Sequence, residues 1–427
     1  MRHYHVKKGM LKGSIVIPSS KSQTLRAILF ASLAQGESTI YDYLPATDTQ
    51  TMINACRLFG ATLNVSYNRI EIDGTNGKIN PAHSPIDAGN SGIVLRFCSA
   101  VSALASSPTI ITGDHSICHQ RPMQPLLNAL HQLNVSATSL SNNGYAPICI
   151  QGPIHPGKVR IHGKDSQPVS ALLIASAFAN GSTEIQVEEP GEKPWVALTL
   201  EWFDRLGIRY ENHDFTRYNV VGNASYQGFD YRVPGDFSSA AFPIAAALIS
   251  QSEITLQNIN MDDSQGDKAL IACLQKMGAA IVIDSEHHEL HIKKSPLLKG
   301  IQVDINDFID AITILTVIAC FAEGETRIYN ASIAKQKECN RIHCIASELR
   351  KMGADITEHE DGLTIRHSSL KGATVYSHED HRMAMSLTVA GLGATGETTI
   401  TSVECISKTY PTFLNDLNAL GANIESE

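Results

Sequence analysis

The strongest constraint on this chain is repetition. A helical segment closing on a leucine-like residue and glycine recurs as ACRLFGATL, WFDRLGIRY, CLQKMGAAI, ELRKMGADI and LNALGANIE. Its glycines are Gly60, Gly207, Gly278, Gly353 and Gly421, and a degenerate copy, LHQLNVSAT, puts Asn134 near the place of the missing one. Glycine just past a last helical turn is the usual left-handed cap, and asparagine is its common substitute. The copies stand roughly seventy residues apart, longer than the periods of common solenoid repeats.

A second element recurs in phase. AQGESTI, SSPTIIT, FANGSTEI, SQSEITL, AEGETRI and ATGETTI each close an apolar helix and open a strand. The helices before them start in polar loops and continue as apolar runs, as in PSSKSQTLRAILFASLA and HEDHRMAMSLTVAGLGA. The chain therefore reads as six α/β units, each with a buried apolar helix and a second, more polar one. An old duplication explains the helices but not their openings, which are rich in Ser, Asp, Asn, Lys, Gln and Arg. Helix N-termini carry unpaired N–H groups and partial positive charge, so such loops are natural anion sites.

Local devices of this kind are needed if an anion is bound, because the net charge is −9. That balance, without basic runs, argues against a nucleic-acid partner. No apolar run is long enough to span a membrane, and MRHYHVKKGMLKG has no apolar core of a secretory signal. The nine cysteines are scattered without a CxxC pair, which suits a reducing cytoplasm.

The stretch SHEDHRMAM, residues 377–385, is open to three readings: metal site, acid–base catalyst or anion clamp. A metal would need His378, Asp380 and His381 to meet at one ion. The segment is a loop-to-helix junction, and no second His–carboxylate cluster lies near it in sequence, so no metal is expected.

Taken in order, PSSKSQTLR (18–26), GNSGIVLR (89–96), QRP (120–122), KECNR (337–341), DHRMAM (380–385) and CISKTYP ending at Pro411 resemble the EPSP synthases, the 3-phosphoshikimate 1-carboxyvinyltransferases. The resemblance implies an α/β fold of two domains, each of three βαβαββ units around buried parallel helices. One domain would run from about 20 to 235. The other would join 1–19 with 236–427, the active site lying in the cleft between them. The implied reaction moves the enolpyruvyl group of phosphoenolpyruvate to the 5-hydroxyl of 3-phosphoshikimate and releases phosphate, a step toward chorismate and the aromatic amino acids. No cofactor is implied, only small-molecule substrates, and the chain is expected to act as a monomer.

The resemblance also implies residue roles. Lys21, Asn90, Gly92, Arg121, Gln167, Arg341, Arg382 and Lys408 would hold phosphoenolpyruvate, Arg341 and Arg382 gripping its carboxylate. Lys21, Ser22, Arg26, Ser166, Gln167, Asp310 and Lys337 would hold the acceptor. Asp310 would handle the hydroxyl proton with Glu338 as partner acid–base group, and Lys21, Lys408 and His381 are further proton carriers. Apart from the resemblance, the bland reading of Asp310, a carboxylate in an otherwise apolar stretch, is an N-terminal helix cap. Asp380 and His381 would orient Arg382 or help with protons at the helix start.

Several positions depart from the family pattern. Ser19 replaces a glycine, Ile93 and Phe97 replace threonine and proline, Trp195 replaces a tyrosine, and Asn340 replaces an aspartate. Asp165 and Glu192 replace two serines that hold the acceptor phosphate. A carboxylate beside a phosphate is repulsive unless neutralised, and Lys164 and Lys193 are the expected compensators. Two other readings are a transferase acting on UDP-N-acetylglucosamine and a non-catalytic anion-binding relative. The first family carries Lys-Asn in its opening loop, where this chain has Lys21-Ser22, and a reactive cysteine near the place of Cys118. The second is opposed by Lys21, Asp310, Glu338, Arg341, Arg382 and Lys408 all being present.

Overall fold

The computed structural model describes residues 2–80 and 82–427; Met1 and Pro81, each assigned to a domain above, lie outside the described residues. The chain forms two compact units, Lys21–Val233 and a composite of the residues up to Ser20 with Pro234–Glu427. Each contains three four-stranded sheets among its described residues.

All six sheets share one pairing pattern, which is the structural form of the sequence repeat. In one, Lys158–His162 runs parallel to Thr183–Glu188 with Lys158 opposite Glu184. Thr183–Glu188 then pairs antiparallel with Arg217–Val220, and that strand with Tyr210–His213. A parallel pair requires a crossover, and the buried helix Ser166–Phe178 supplies it. Three sheets draw strands from distant sequence. His3–Lys7 lies between Thr398–Thr401 and Asn423–Ser426, and Lys12–Val16 runs parallel to Glu253–Gln257. Asp230–Arg232 returns to pair with Glu37–Tyr41.

The buried helices are Lys21–Leu33, Gly92–Ser102 and Ser166–Phe178 in one unit. In the other they are Phe237–Ile249, Ile312–Phe321 and His381–Gly393. They are apolar on every side because neighbours cover every side. Gly92–Ser102 packs on Ser166–Phe178, and Ile312–Phe321 on His381–Gly393. Each buried Leu, Ile or Phe contributes about 1.5–3 kcal/mol relative to exposure. Some hydroxyls inside these helices bond to their own helix or to a neighbouring one, whereas those of Ser170, Ser176 and Ser239 are buried without a hydrogen-bond partner among the described residues. Thr316 donates to the Ile312 carbonyl at 2.7 Å, and Ser386 donates to Thr313 on the neighbouring helix at 2.9 Å. Gly393 permits close packing: a Cβ there would stand 2.4 Å from Ile249 and 2.6 Å from Phe321.

The second helices are amphipathic and end as the repeat predicts. Lys193–Leu206 closes at Gly207 with φ 67°, and Asn134 takes φ 60° in the degenerate copy. Gly60, Gly278, Gly353 and Gly421 are also left-handed. One expectation needs correcting. NDFIDAITILTVIACFA does not open directly as an α-helix: Asn306–Ala311 is a 3-10 segment kinked at Phe308, and the α-helix starts at Ile312. Asp310 therefore lies in the turn and caps nothing.

Candidate active site

In the composite unit, four local structures deliver charged side chains to one place. The 3-10 turn carries Asp310. Helix Arg341–Lys351 begins with Arg341, its cap Asn340 accepting the His343 N–H at 3.2 Å. Helix His381–Gly393 is capped by Asp380, which accepts the Arg382 N–H at 2.8 Å. A last 3-10 turn, Val403–Lys408, ends in Lys408.

Arg341 is the hub. Its Nε donates to Asp380 at 2.7 Å, Nη1 to Asp310 at 2.8 Å and Nη2 to Glu338 at 2.6 Å. Arg382 donates to the other oxygen of Asp310 at 2.7 Å, and Lys408 to the other oxygen of Glu338 at 2.9 Å. Arg341 and Asp380 are essentially closed to solvent, whereas the Asp310 side chain keeps 22% exposure. Burial alone would raise the Asp310 carboxyl. Arg382, Arg341 and Lys337 outweigh it and hold that group below the ordinary carboxylate range.

Two of these groups hold more than one partner. The Asp380 carboxylate accepts the backbone N–H of Arg382, two bonds from Arg341 and a long one from the Cys339 thiol at 3.7 Å, and none from the Arg382 guanidinium. Arg341, expected with Arg382 to grip a ligand carboxylate, also donates through both Nη atoms and Nε to carboxylates of the chain. His381 is buried with Nδ1 3.8 Å from Asp380 and 3.9 Å from Glu338. His378 turns away to Glu348 at 2.9 Å. Among the described residues, no group of three or more His, Cys, Asp or Glu side chains is placed to hold a metal ion.

The Lys21–Val233 unit carries a second cluster. Lys21 opens its helix and lies 3.6 Å from the buried Asp48. Arg26, on the same helix, donates to Thr199 at 3.0 Å and to the carbonyls of Ser22 and Trp195, with its guanidinium 5.1 Å from the Phe97 ring centre. Phe97 thus supports Arg26. Arg96 donates to Gln167 at 3.3 Å and to the Pro122 carbonyl at 3.2 Å. Gly92 faces this group: a Cβ there would come within 2.8 Å of Arg96, 2.9 Å of Gln167 and 3.1 Å of Arg121. Asn90 donates to Asp114 at 2.6 Å.

The two acidic replacements are compensated, but not by the adjoining lysines. Asp165 pairs with Arg96 at 3.3 Å and caps the Ser166–Phe178 helix through the Gln167 N–H. Glu192, buried and left-handed, accepts both the N–H and the hydroxyl of Ser166 at 2.9 Å. Lys164 pairs instead with Glu189, and Lys193 lies over Phe215. The positive end of this helix is therefore met by the chain's own carboxylates. Cys118 donates its thiol to the Gly113 carbonyl at 3.4 Å.

Sequence reasoning missed Arg96, Asp48 and Asp267. Arg96 was visible as a charge inside an apolar helical run. Asp267 sits in the turn Gly266–Lys268, which packs against the Asp310 turn, and its carboxylate accepts from Ser238. Burial and the neighbouring Asp310 push it up to about 7.

A family model described as EPSP synthase (3-phosphoshikimate 1-carboxyvinyltransferase) matches residues 6–417. The 3-phosphoshikimate 1-carboxyvinyltransferase of Chlamydia pneumoniae is 44% identical over 427 residues, 100% of this chain and 95% of that protein. That of Acetivibrio thermocellus is 41% identical over 421 residues, 99% of each. Among solved structures, an EPSP synthase from Acinetobacter baumannii matches with a TM-score of 0.83 at 27% identity, covering 100% of both chains.

Proposed function

The chain belongs to the EPSP synthase family, the 3-phosphoshikimate 1-carboxyvinyltransferases, and on that premise we propose how its two clusters divide the reaction. The activity is transfer of the enolpyruvyl group of phosphoenolpyruvate to the 5-hydroxyl of 3-phosphoshikimate, with release of phosphate. The proposal has both clusters act on one substrate pair.

Joining the two substrates requires a base for the attacking hydroxyl and an acid for the vinyl carbon. We assign these roles to Asp310 and Glu338, with Lys408 beside Glu338 and His381 close by. What supports the assignment is that Asp310 is both the most exposed member of the Arg341 network and the one shared by two arginines. A ligand carboxylate reaching Arg382 or Arg341 competes for the charges that depress Asp310. Sharing them raises the Asp310 pKa, so binding phosphoenolpyruvate strengthens the base where it is used. Lys337 adds to the positive charge on the acceptor side of Asp310.

The other cluster supplies most of the remaining binding. Lys21, Arg121, Gln167, Asn90 and the backbone at Gly92 would take phosphoenolpyruvate together with Arg341, Arg382 and Lys408, and Lys21, Ser22, Arg26, Ser166 and Gln167 would take the acceptor with Asp310 and Lys337. Because Glu192 already occupies the Ser166 donors, the acceptor phosphate depends more on Lys21 and Arg26. Action as a cytoplasmic monomer without nucleic-acid partners is part of the same proposal; it rests on nine free cysteines and an acidic net charge. No helix of the described residues is long and apolar enough to cross a membrane.

The test is phosphate release from phosphoenolpyruvate with 3-phosphoshikimate, run beside UDP-N-acetylglucosamine. Release with the first acceptor alone is expected. Release with the second alone, or with neither, overturns the reading.

A further inference from the structure

Helix Arg341–Lys351, which begins with the hub of the site, carries near its other end a buried carboxylate that the reaction does not use. The Glu348 side chain is 3% exposed, and a carboxylate is costly to bury unless donors surround it. Three do. One oxygen accepts from Lys351 Nζ at 2.6 Å and from the Tyr376 N–H at 3.0 Å. The other meets His378 Nε2 at 2.9 Å. An ionised carboxylate only accepts, so Nε2 carries the hydrogen.

Two of these donors belong to the segment that leads into the site. Strand Thr374–Tyr376 ends, and residues 377–379 bring the chain to Asp380, the cap of helix His381–Gly393 and a partner of Arg341. His378 and Glu379 are left-handed in succession, at φ 53° and 56°. Residues with a side chain adopt that conformation at a cost, and it persists where the surroundings fix it. Here the fixing contacts come from two elements. Glu348 holds Tyr376 and His378. Ser377 donates its hydroxyl to the Ser402 carbonyl at 2.7 Å and accepts the Glu379 N–H at 3.1 Å. Ser402 precedes the turn Val403–Lys408, which ends in Lys408. The double left-handed turn is thus tied both to the helix that starts with Arg341 and to the segment that ends with Lys408.

We propose, resting on the assignment of Arg382 to the phosphoenolpyruvate carboxylate, that Glu348 is a positioning residue: with His378 it locks the double left-handed turn, and the locked turn aims Arg382. Asp380 carries the effect, because it caps the helix through the Arg382 N–H. Without the lock, His378 and Glu379 relax toward ordinary conformations, and the cap and the first helical turn move with them. The guanidinium then leaves the place where a ligand carboxylate needs it.

The test compares kcat, both KM values and Tm in variants of the full chain. Glu348→Gln keeps the shape but leaves one accepting oxygen for three donors. The KM for phosphoenolpyruvate should rise roughly tenfold while that for 3-phosphoshikimate stays within about twofold. His378→Gln, at a half-buried position outside the core, should raise the same KM by less; an unchanged value there overturns the proposal whether or not Glu348→Gln folds. A purely structural role would lower Tm and move both KM values together or neither, and either pattern also overturns it. Glycine takes positive φ without strain, so adding Glu379→Gly to Glu348→Gln should bring the KM for phosphoenolpyruvate part of the way back. No recovery overturns the link through the turn. Arg382→Gln separates the two layers of the argument. If it raises the KM for phosphoenolpyruvate and Glu348→Gln does not, the positioning role alone fails. If neither raises it, the assignment of Arg382 fails and the positioning role falls with it.

Discussion

In the composite unit the arginines of the site face carboxylates, whereas in the Lys21–Val233 unit Arg26 rests on neutral oxygens and Arg96 on two neutral oxygens and one carboxylate. The contrast separates two uses of the same residue type. Around Arg341, three carboxylates and two further cations form a closed set, so moving a proton on any member changes the balance of all of them. Removing one partner leaves a buried charge uncompensated, which costs several kcal/mol. Around Arg26, carbonyl and hydroxyl oxygens take the guanidinium N–H groups and the Glu201 carboxylate acts on it without a direct hydrogen bond, so its charge is less fully compensated than that of Arg341. The first arrangement suits proton transfer and the second suits binding.

Breaking the proton-handling set has the largest expected effect. Glu338→Gln keeps the shape but removes the charge shared by Arg341 and Lys408, and should lower kcat about 10²–10⁴-fold with modest change in either KM. A matching rise in KM would place Glu338 in binding instead. On the other side, Gly92→Ala pushes a methyl at Arg96, Gln167 and Arg121, all of them side-chain ends that can shift. The KM for phosphoenolpyruvate should rise about tenfold with kcat nearly kept; an unchanged KM would remove that group from the binding site.

Smaller effects sharpen the contrast. Glu192→Ser releases the two Ser166 donors and should lower the KM for 3-phosphoshikimate a few-fold. A higher KM would make Glu192 a structural clamp rather than an occupant of anion space. Asp267 offers a pH test. Its folded pKa of about 7 lies above the ordinary value, so the neutral form stabilises the fold below about pH 4, and that contribution is lost as pH rises through 7. The Tm advantage of the unaltered chain over Asp267→Asn should shrink across this window; a constant difference would mean that Asp267 is ionised throughout.

Much of this was legible in the chain. The helix ends followed from one local rule, that a left-handed position takes Gly or Asn, so Gly207 and Asn134 could be placed from spacing alone. The residues gathered around Arg341 followed from short motifs, but not the pairing among them. Asp310 and Arg382 are 72 positions apart, and nothing local says which arginine a carboxylate will meet. For the same reason Asp165 was paired with adjoining Lys164 rather than with Arg96, which a second helix brings close. The 3-10 turn at Asp310 was hidden because its sequence continues smoothly into an apolar helix. Exchange of strands between distant segments, as at Asp230–Arg232 and Glu37–Tyr41, is likewise a property of packing that no window of sequence carries.

The division between the two clusters is tested most directly by measuring kcat and the KM for phosphoenolpyruvate side by side in Asp310→Asn and Arg121→Gln. Asp310→Asn should lose kcat about 10²-fold or more while its KM stays within a few-fold, and Arg121→Gln should do the reverse. If both variants lose kcat and KM in the same proportion, the clusters are not divided between chemistry and binding.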